Sequence, residues 1–136
     1  MGGQSVIVVD THALIWWVDD ASRLSRKARQ ALRVHARRRE LIVSAITVFE
    51  IVTLERRGRL QFKRPLREWL ADLRKLPEIA VYPVTDVVAE RAGGLGDPFP
   101  GDPADRVVAA TALSLDVPLV SQDTKLRGVA ALTTIW

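Results

Sequence analysis

The sequence predicts an α/β fold, in which helices cover both faces of a parallel sheet in three layers. Short apolar runs rich in β-branched residues alternate along the chain with longer amphipathic segments, which is the pattern of repeated strand–helix–strand units. The short runs are apolar at nearly every position, so both faces of each strand are expected to be covered. The chain has 136 residues, of which 48% are hydrophobic, and we expect residues 1–136 to form one domain with an ample core.

Five segments are predicted to be strands. They are residues 6–10, 41–44, 79–82 and 117–121, with 132–136 as a short fifth. These are too few for an eight-stranded barrel, which leaves an open α/β/α sandwich. The two halves of such a sheet would meet at the first strand, so the carboxyl end of that strand is the expected ligand-binding edge.

Six segments between the strands are predicted to be helices. They are residues 11–18, 25–38, 47–57, 66–75, 86–93 and 103–115. Thr47 and Glu50 have the spacing of a capping box, which predicts the start of the third helix. Asp102 before Pro103 is typical of an N-cap followed by proline at the first helical position. Residues 93–101, rich in glycine and proline, are predicted to form a loop.

Several classes of protein are disfavoured by composition. The chain has no cysteine, which excludes disulfides and thiolate metal sites. No stretch approaches the length of an apolar membrane span and no export signal is visible, so we expect a cytoplasmic protein. Of the two histidines, His12 lies in an apolar helix and is expected to pack there rather than catalyse.

Positive charge is concentrated in two segments. The net charge is +4 and the pI is about 10. Residues 23–39 hold eight basic residues and no acidic one, and a second basic stretch spans residues 56–67. Such segments attract polyanions, and Arg33, Arg37 and Arg38 are the predicted RNA-binding residues. The alternative is a solvated helix face that keeps the protein soluble.

Four carboxylates fall where strands end or helices begin. They are Asp10, Glu50, Asp105 and Asp123. In a parallel sheet these positions crowd onto one edge, where like charges are costly without a cation. Since oxygen is the only ligand atom that this set offers, Mg²⁺ or Mn²⁺ is favoured over Zn²⁺. We predict that all four are metal ligands and catalytic residues.

Each of these acids also has a structural interpretation. Asp10 could cap the first helix, Glu50 could be the partner of Thr47 in a capping box, and Asp123 could be a turn residue. Asp102 and Asp105 both fit the start of the last helix, so one of them could be structural. We therefore assign Asp105 to the metal and Asp102 to an accessory role.

Four motifs in order resemble one known family, the PIN-domain ribonucleases, and within it the VapC-type toxins of type II toxin–antitoxin pairs. The match covers essentially the whole chain. The motifs are Val9-Asp10-Thr11-His12-Ala13-Leu14-Ile15-Trp16-Trp17, Ser44-Ala45-Ile46-Thr47-Val48-Phe49-Glu50-Ile51, Asp102-Pro103-Ala104-Asp105-Arg106 and Ser121-Gln122-Asp123.

The resemblance implies a sheet of order 3-2-1-4-5 and cleavage of RNA that depends on Mg²⁺ or Mn²⁺. It also implies a homodimer and an inhibiting antitoxin. The acids of the family fall on the four carboxylates above, and its accessory hydroxyl falls on Thr11. An acidic edge would accept a basic side chain of the antitoxin. Trp16, Trp17 and Val18 are predicted to form part of a groove for its apolar segment.

Three alternatives remain. One is a response-regulator-like signalling domain that binds Mg²⁺ with acids at strand ends. Such a domain needs a phospho-acceptor aspartate at the end of its third strand, where this chain has Tyr82-Pro83. Another is a housekeeping PIN nuclease without an antitoxin. The third is a basic binding module without catalysis, which gives no reason for four acids at one edge.

Overall fold

The computed structural model describes residues 6–96, 99, 101–127, 129 and 131–136. Its five strands form one parallel sheet, with neighbours in the order β3-β2-β1-β4-β5. The order and direction predicted from the resemblance are confirmed. The strands are β1 Ile7–Val9, β2 Leu41–Ser44, β3 Ile79–Tyr82, β4 Leu119–Val120 and β5 Thr134–Ile135.

Six helices connect the strands in the described part of the chain, together with 3₁₀ turns at Ala21–Arg23 and Thr124–Leu126. They are α1 Thr11–Asp19, α2 Arg26–Arg37, α3 Ala45–Arg56, α4 Leu66–Lys75, α5 Asp86–Gly93 and α6 Pro103–Leu115. None of them is long and apolar enough to cross a membrane.

Both faces of β1 are buried, as its continuous apolar sequence predicts. Ile7 and Val9 point into a core formed with α1, α2, α3 and α4. Val8 points to the other face and packs in a core with Val108 of α6. Because side chains alternate along a strand, three successive apolar residues hold two helical layers on one sheet. The predicted three-layer sandwich is therefore confirmed.

The start of α3 differs from the prediction. The helix begins at Ala45, and the Ser44 hydroxyl caps it by accepting a hydrogen bond from the Ile46 N–H at 3.2 Å. The predicted capping box is wrong, because Thr47 is already inside the helix and fully buried. Glu50 consequently lies in the second turn, where its carboxylate has no capping role.

Other predicted boundaries differ by a few residues. β4 is two residues long rather than five, because pairing with β1 and β5 covers only Leu119 and Val120. α5 ends at Gly93 as predicted. Within the predicted loop 93–101, positions 97, 98 and 100 lie outside the described residues.

Candidate metal centre

Asp10 joins strand β1 to helix α1 at the point where the strand order reverses. Its N–H donates to the carbonyl oxygen of Val120 at 3.1 Å, which holds it against β4. Its Oδ1 accepts from the Ala13 N–H at 2.9 Å, so Asp10 is also the N-cap of α1. The structural interpretation and the functional one thus apply to the same carboxylate.

Glu50 is held by a threonine pair instead of by its own helix. The Thr11 hydroxyl lies 2.5 Å from Glu50 Oε1 and 3.2 Å from the Thr47 hydroxyl oxygen. Thr11 and Thr47 are both buried, at 3% and 0% exposure. Since one hydroxyl carries one proton, Thr11 donates to the carboxylate and Thr47 donates to Thr11. These two linked hydrogen bonds fix the position of the Glu50 carboxylate.

Asp102 is the N-cap of α6 and holds the first turn of that helix. Its Oδ1 accepts from the N–H groups of Ala104 at 2.8 Å and Asp105 at 3.3 Å. The predicted cap is confirmed. The side chain of Arg106 holds the same turn of α6 against the end of α5. Its Nε donates to the carbonyl of Ala92 at 3.0 Å, and its guanidinium also donates to the Leu95 carbonyl.

The structure gathers these acids at the carboxyl edge of the sheet. One carboxylate oxygen from each of Glu50, Asp102 and Asp105 can lie within 4.8 Å of the other two. A cavity of about 20 Å³, enough for one water-sized ion, lies next to them. Its lining includes all four predicted ligands, namely Asp10, Glu50, Asp105 and Asp123.

Asp123 enters this lining from the segment after β4. Its N–H donates to the Ser121 hydroxyl at 3.1 Å, and its Oδ1 accepts from the Lys125 N–H at 2.9 Å. The predicted turn role of Asp123 is therefore present, just as the predicted N-cap role of Asp10 is. In Asp10 and in Asp123, one carboxylate oxygen accepts a hydrogen bond from a backbone N–H.

Burial, with a smaller contribution from neighbouring acids, raises the pKa of two carboxyls at this site. Burial raises the pKa of Asp10, against hydrogen bonds from Ser121 and Ala13 that lower it. Burial also raises the pKa of Asp105 to about 7, and the charges of Asp102 and Glu50 add to this effect. Negative groups whose ionisation is suppressed by burial and by one another form an environment that a cation would stabilise.

The donor set fits a divalent metal. The cavity-facing acids offer only oxygen, which is the ligand atom that Mg²⁺ and Mn²⁺ prefer. Asp102, assigned an accessory role from the sequence, is close enough to share an ion with Glu50 and Asp105. The grouping therefore includes two of the four predicted ligands, Glu50 and Asp105, and adds Asp102, whereas Asp10 and Asp123 join them as residues of the cavity lining.

Three residues at this site were not recognised as functional from the sequence. Thr47 and Ser121 are fully buried polar residues that hydrogen-bond site residues. Thr47 interrupts an apolar run and Ser121 ends one. A polar residue at such a position was the sequence signal that could have identified them. His12 lines the cavity and is exposed rather than packed inside the helix, although its ring contacts the ring of Trp16 at a centroid distance of 5.9 Å.

The predicted RNA-binding arginines are not gathered with the acids. Arg33 and Arg37 lie in the second half of α2, and Arg38 is its C-cap. The chain passes from there directly into the amino end of β2, which is the sheet edge opposite to the acids.

Comparison with known proteins identifies the family. The PIN domain matches residues 7–132. The chain belongs to the PIN-domain family. Ribonuclease VapC22 of Mycobacterium tuberculosis is 38% identical over 123 residues, which are 90% of this chain and 91% of that one. The chain is therefore a VapC-type member of the PIN family.

Solved structures with the same fold cover nearly the whole PIN domain of this chain. VapBC2 from Rickettsia felis bound to a promoter DNA fragment has a TM-score of 0.66 at 13% identity, covering 95% of this chain and 96% of that one. DNA-bound VapBC from Salmonella typhimurium has the same score and coverage at 16% identity. A toxin–antitoxin complex from Klebsiella pneumoniae has a TM-score of 0.61 at 20% identity, covering 94% and 96%.

Proposed function

We propose that this protein is an endoribonuclease, dependent on Mg²⁺ or Mn²⁺, that acts as the toxin of a toxin–antitoxin pair. The observation that carries the proposal is the set of carboxylate oxygens within 4.8 Å of one another at the carboxyl edge of the sheet. The 38% identity to Ribonuclease VapC22 supports RNA as the substrate. The proposed location of the protein is the cytoplasm, where both RNA and a protein inhibitor would be present.

The residues of the site would divide the work of phosphodiester hydrolysis. Glu50, Asp105 and Asp10 would hold the cation, while Asp123 would hold a second ion or orient the attacking water. A bound divalent cation supplies a water of lowered pKa and positive charge for the phosphate. The Thr11 hydroxyl keeps Glu50 in place, so the ligand geometry is formed before substrate arrives.

An antitoxin is the proposed partner, and a concavity beside α1 supports a binding site for it. A surface concavity of about 910 Å³ lies between the end of α1 and the segment joining α3 to α4. Of the three residues predicted to form a groove, only Trp16 is among those that line this concavity, although all three pack partly buried against the core. An apolar antitoxin segment in this groove could direct a basic residue towards the acids.

A homodimer is proposed as the assembled form. Phe49 and Val52 are 66% and 41% exposed on α3, and Val87 is 62% exposed on α5. A contiguous patch of such side chains would be a surface suited to pairing. Molar mass from light scattering would test the dimer, and a value near 15.1 kDa at micromolar concentration would contradict it.

The signalling alternative does not fit the sheet. Receiver domains have the strand order 2-1-3-4-5, whereas this chain has 3-2-1-4-5. Here β3 is an edge strand that ends at Tyr82 without an acid.

Two experiments test the proposed function. Purified protein should cleave a mixed RNA pool when Mg²⁺ or Mn²⁺ is present, and chelator should stop cleavage. Unchanged cleavage in chelator would contradict the metal-dependent mechanism. Expression in a bacterial host should arrest growth, and co-expression of a neighbouring antitoxin gene should restore it. RNA cleavage without growth arrest would leave a housekeeping PIN nuclease.

A further inference from the structure

A row of arginines runs along the exposed side of α2. Its members are Arg26, Arg29, Arg33 and Arg37, spaced three or four residues apart. They therefore lie within about 40° of one line along the helix. Their side chains surround a shallow concavity of about 420 Å³. The opposite side of α2 carries Ala28 and Leu32, which are fully buried.

This arginine row does not contribute to folding in any visible way. None of its members forms a salt bridge with another described residue. Like charges three or four positions apart destabilise a helix, and Arg26 in the first turn also opposes the helix dipole. A row of charges that costs helical stability and has no partner within the described fold is suited to an external anion.

The position of the row restricts what that anion can be. α2 ends where the chain enters the amino end of β2, whereas Glu50 and Asp10 lie beyond carboxyl ends of strands. A strand of four residues spans about 13 Å. A ligand that contacts both the acids and Arg37 must therefore be a polymer several phosphates long.

We propose that the arginine row is a second binding surface for the RNA substrate, and that it holds the sugar–phosphate backbone several nucleotides away from the cleaved bond. This inference rests on the proposed function. Guanidinium groups form bidentate hydrogen bonds with phosphate. Contacts to the phosphate backbone position a nucleic acid without reading its sequence. The row accordingly contributes affinity for long RNA and leaves target choice to the acidic edge.

Salt dependence of binding tests the proposal directly. The probe is a fluorescein-labelled 40-nucleotide polyuridylate, bound by the Asp105→Asn protein in metal-free buffer so that no cleavage occurs. Each phosphate contact contributes about 0.7 to the slope of log affinity against log salt. Replacing Arg26, Arg33 and Arg37 with glutamine should reduce this slope by about 2. Replacing the same three with lysine should retain it.

A second variant controls for net charge alone. Arg74 and Lys75 on α4 and Arg91 on α5 are all exposed and lie outside both basic segments, and their replacement with glutamine removes the same charge. The proposal expects a much smaller slope change in this control. Equal changes in both variants would overturn it. Thermal midpoints of both variants show whether they are folded.

Failure of this inference is separable from failure of the proposed function. Cleavage of RNA by the wild-type protein with an unchanged salt slope in the row variant would overturn the inference alone. Absence of cleavage by the wild-type protein, with the slope reduced as expected, would overturn the nuclease proposal and leave the row as an RNA-binding surface.

Discussion

The Thr11 hydroxyl donates to Glu50 Oε1 at 2.5 Å and thereby connects the first turn of α1 to the second turn of α3. Asp10 precedes Thr11 directly, so the same turn of α1 carries one acid and fixes another. The relative position of two candidate ligands from different strand ends is thus set by one hydrogen bond. Partners of this kind keep metal ligands oriented before the metal arrives.

Thr47→Val should weaken metal binding although Thr47 does not reach the cavity. The valine has nearly the same shape but cannot donate to Thr11, which then loses one constraint on its orientation towards Glu50. We expect a loss of about tenfold in Mn²⁺ affinity by calorimetry, within the range for residues that support metal ligands. Thr47→Ser should restore most of it.

Thr111→Val is the matched control for that experiment. Thr111 is equally buried, and its hydroxyl donates to the carbonyl of Val107 within α6. Both valine variants remove one buried hydroxyl, so both should change the thermal midpoint slightly. Equal Mn²⁺ affinities in the two variants would show that Thr47 acts only through general stability.

Asp10→Asn and Asp105→Asn should abolish cleavage while the fold is retained. Asparagine can replace aspartate as an N-cap, so Asp10→Asn should preserve the cap of α1. Removal of one charge also relieves repulsion in the metal-free protein. The thermal midpoint without metal should therefore stay level or rise, as followed by circular dichroism.

Asp86→Asn serves as the control for these variants. Asp86 is exposed in the first turn of α5, away from the cavity lining, and its variant should retain cleavage. A large fall of the midpoint in both Asp10→Asn and Asp105→Asn would identify the two acids as structural instead.

The stability of the metal-free protein should fall as the pH rises through the range in which Asp105 titrates. The pKa of this carboxyl is about 7 in the folded protein, against 3.8 for an unperturbed aspartate. Between these values the native state holds a proton that the unfolded chain has released, so acid favours folding. Thermal midpoints measured from pH 4 to pH 8 without metal should therefore decrease. The raised pKa of Asp10 acts in the same direction.

Asp105→Asn should flatten that decrease, because the variant has no proton to release. Excess Mn²⁺ should also flatten it in the wild-type protein, since the cation binds the ionised carboxylates. A midpoint that rises from pH 5 to pH 7 in metal-free wild-type protein would contradict the predicted repulsion among the acids.

Trp16→Ala should weaken antitoxin binding more than Trp17→Ala does. Both side chains pack against the core, but Trp16 also lines the large concavity and contacts the rings of His12 and Trp136, whereas Trp17 is absent from the concavity lining. Affinity for the purified antitoxin, once its gene is identified, measures the difference. Equal losses in the two variants, or none in Trp16→Ala, would place the partner elsewhere.

The sequence predicted the elements of this fold better than their boundaries. Strand β1 and helix α6 were predictable, because a continuous apolar run and an N-cap before proline are local signals. The start of α3 was not, since β2 passes into α3 through Ser44 without a loop. Apolar residues continue on both sides of Ser44, so no change of pattern marks the junction.

The acids of the candidate site were predictable as a group, but their supporting contacts were not. Asp10 and Asp105 stand at sequence breaks that a parallel sheet brings to one edge. The pairing of Thr47 with Thr11 joins residues 36 positions apart, and only the packing of α3 against α1 creates it. The location of the arginines on α2 likewise followed from the sheet order rather than from their charge.

The double role of Asp10, as N-cap of α1 and as a candidate ligand, has an evolutionary consequence. Aspartate and asparagine codons differ by a single base, and asparagine keeps the hydrogen bond to Ala13 while removing the charge. One point mutation would therefore yield a folded and inactive protein whose proposed antitoxin groove is intact. Such a protein would sequester the proposed antitoxin and leave active copies uninhibited, so this inactivating mutation would have a dominant, toxic effect in a cell that carries both alleles.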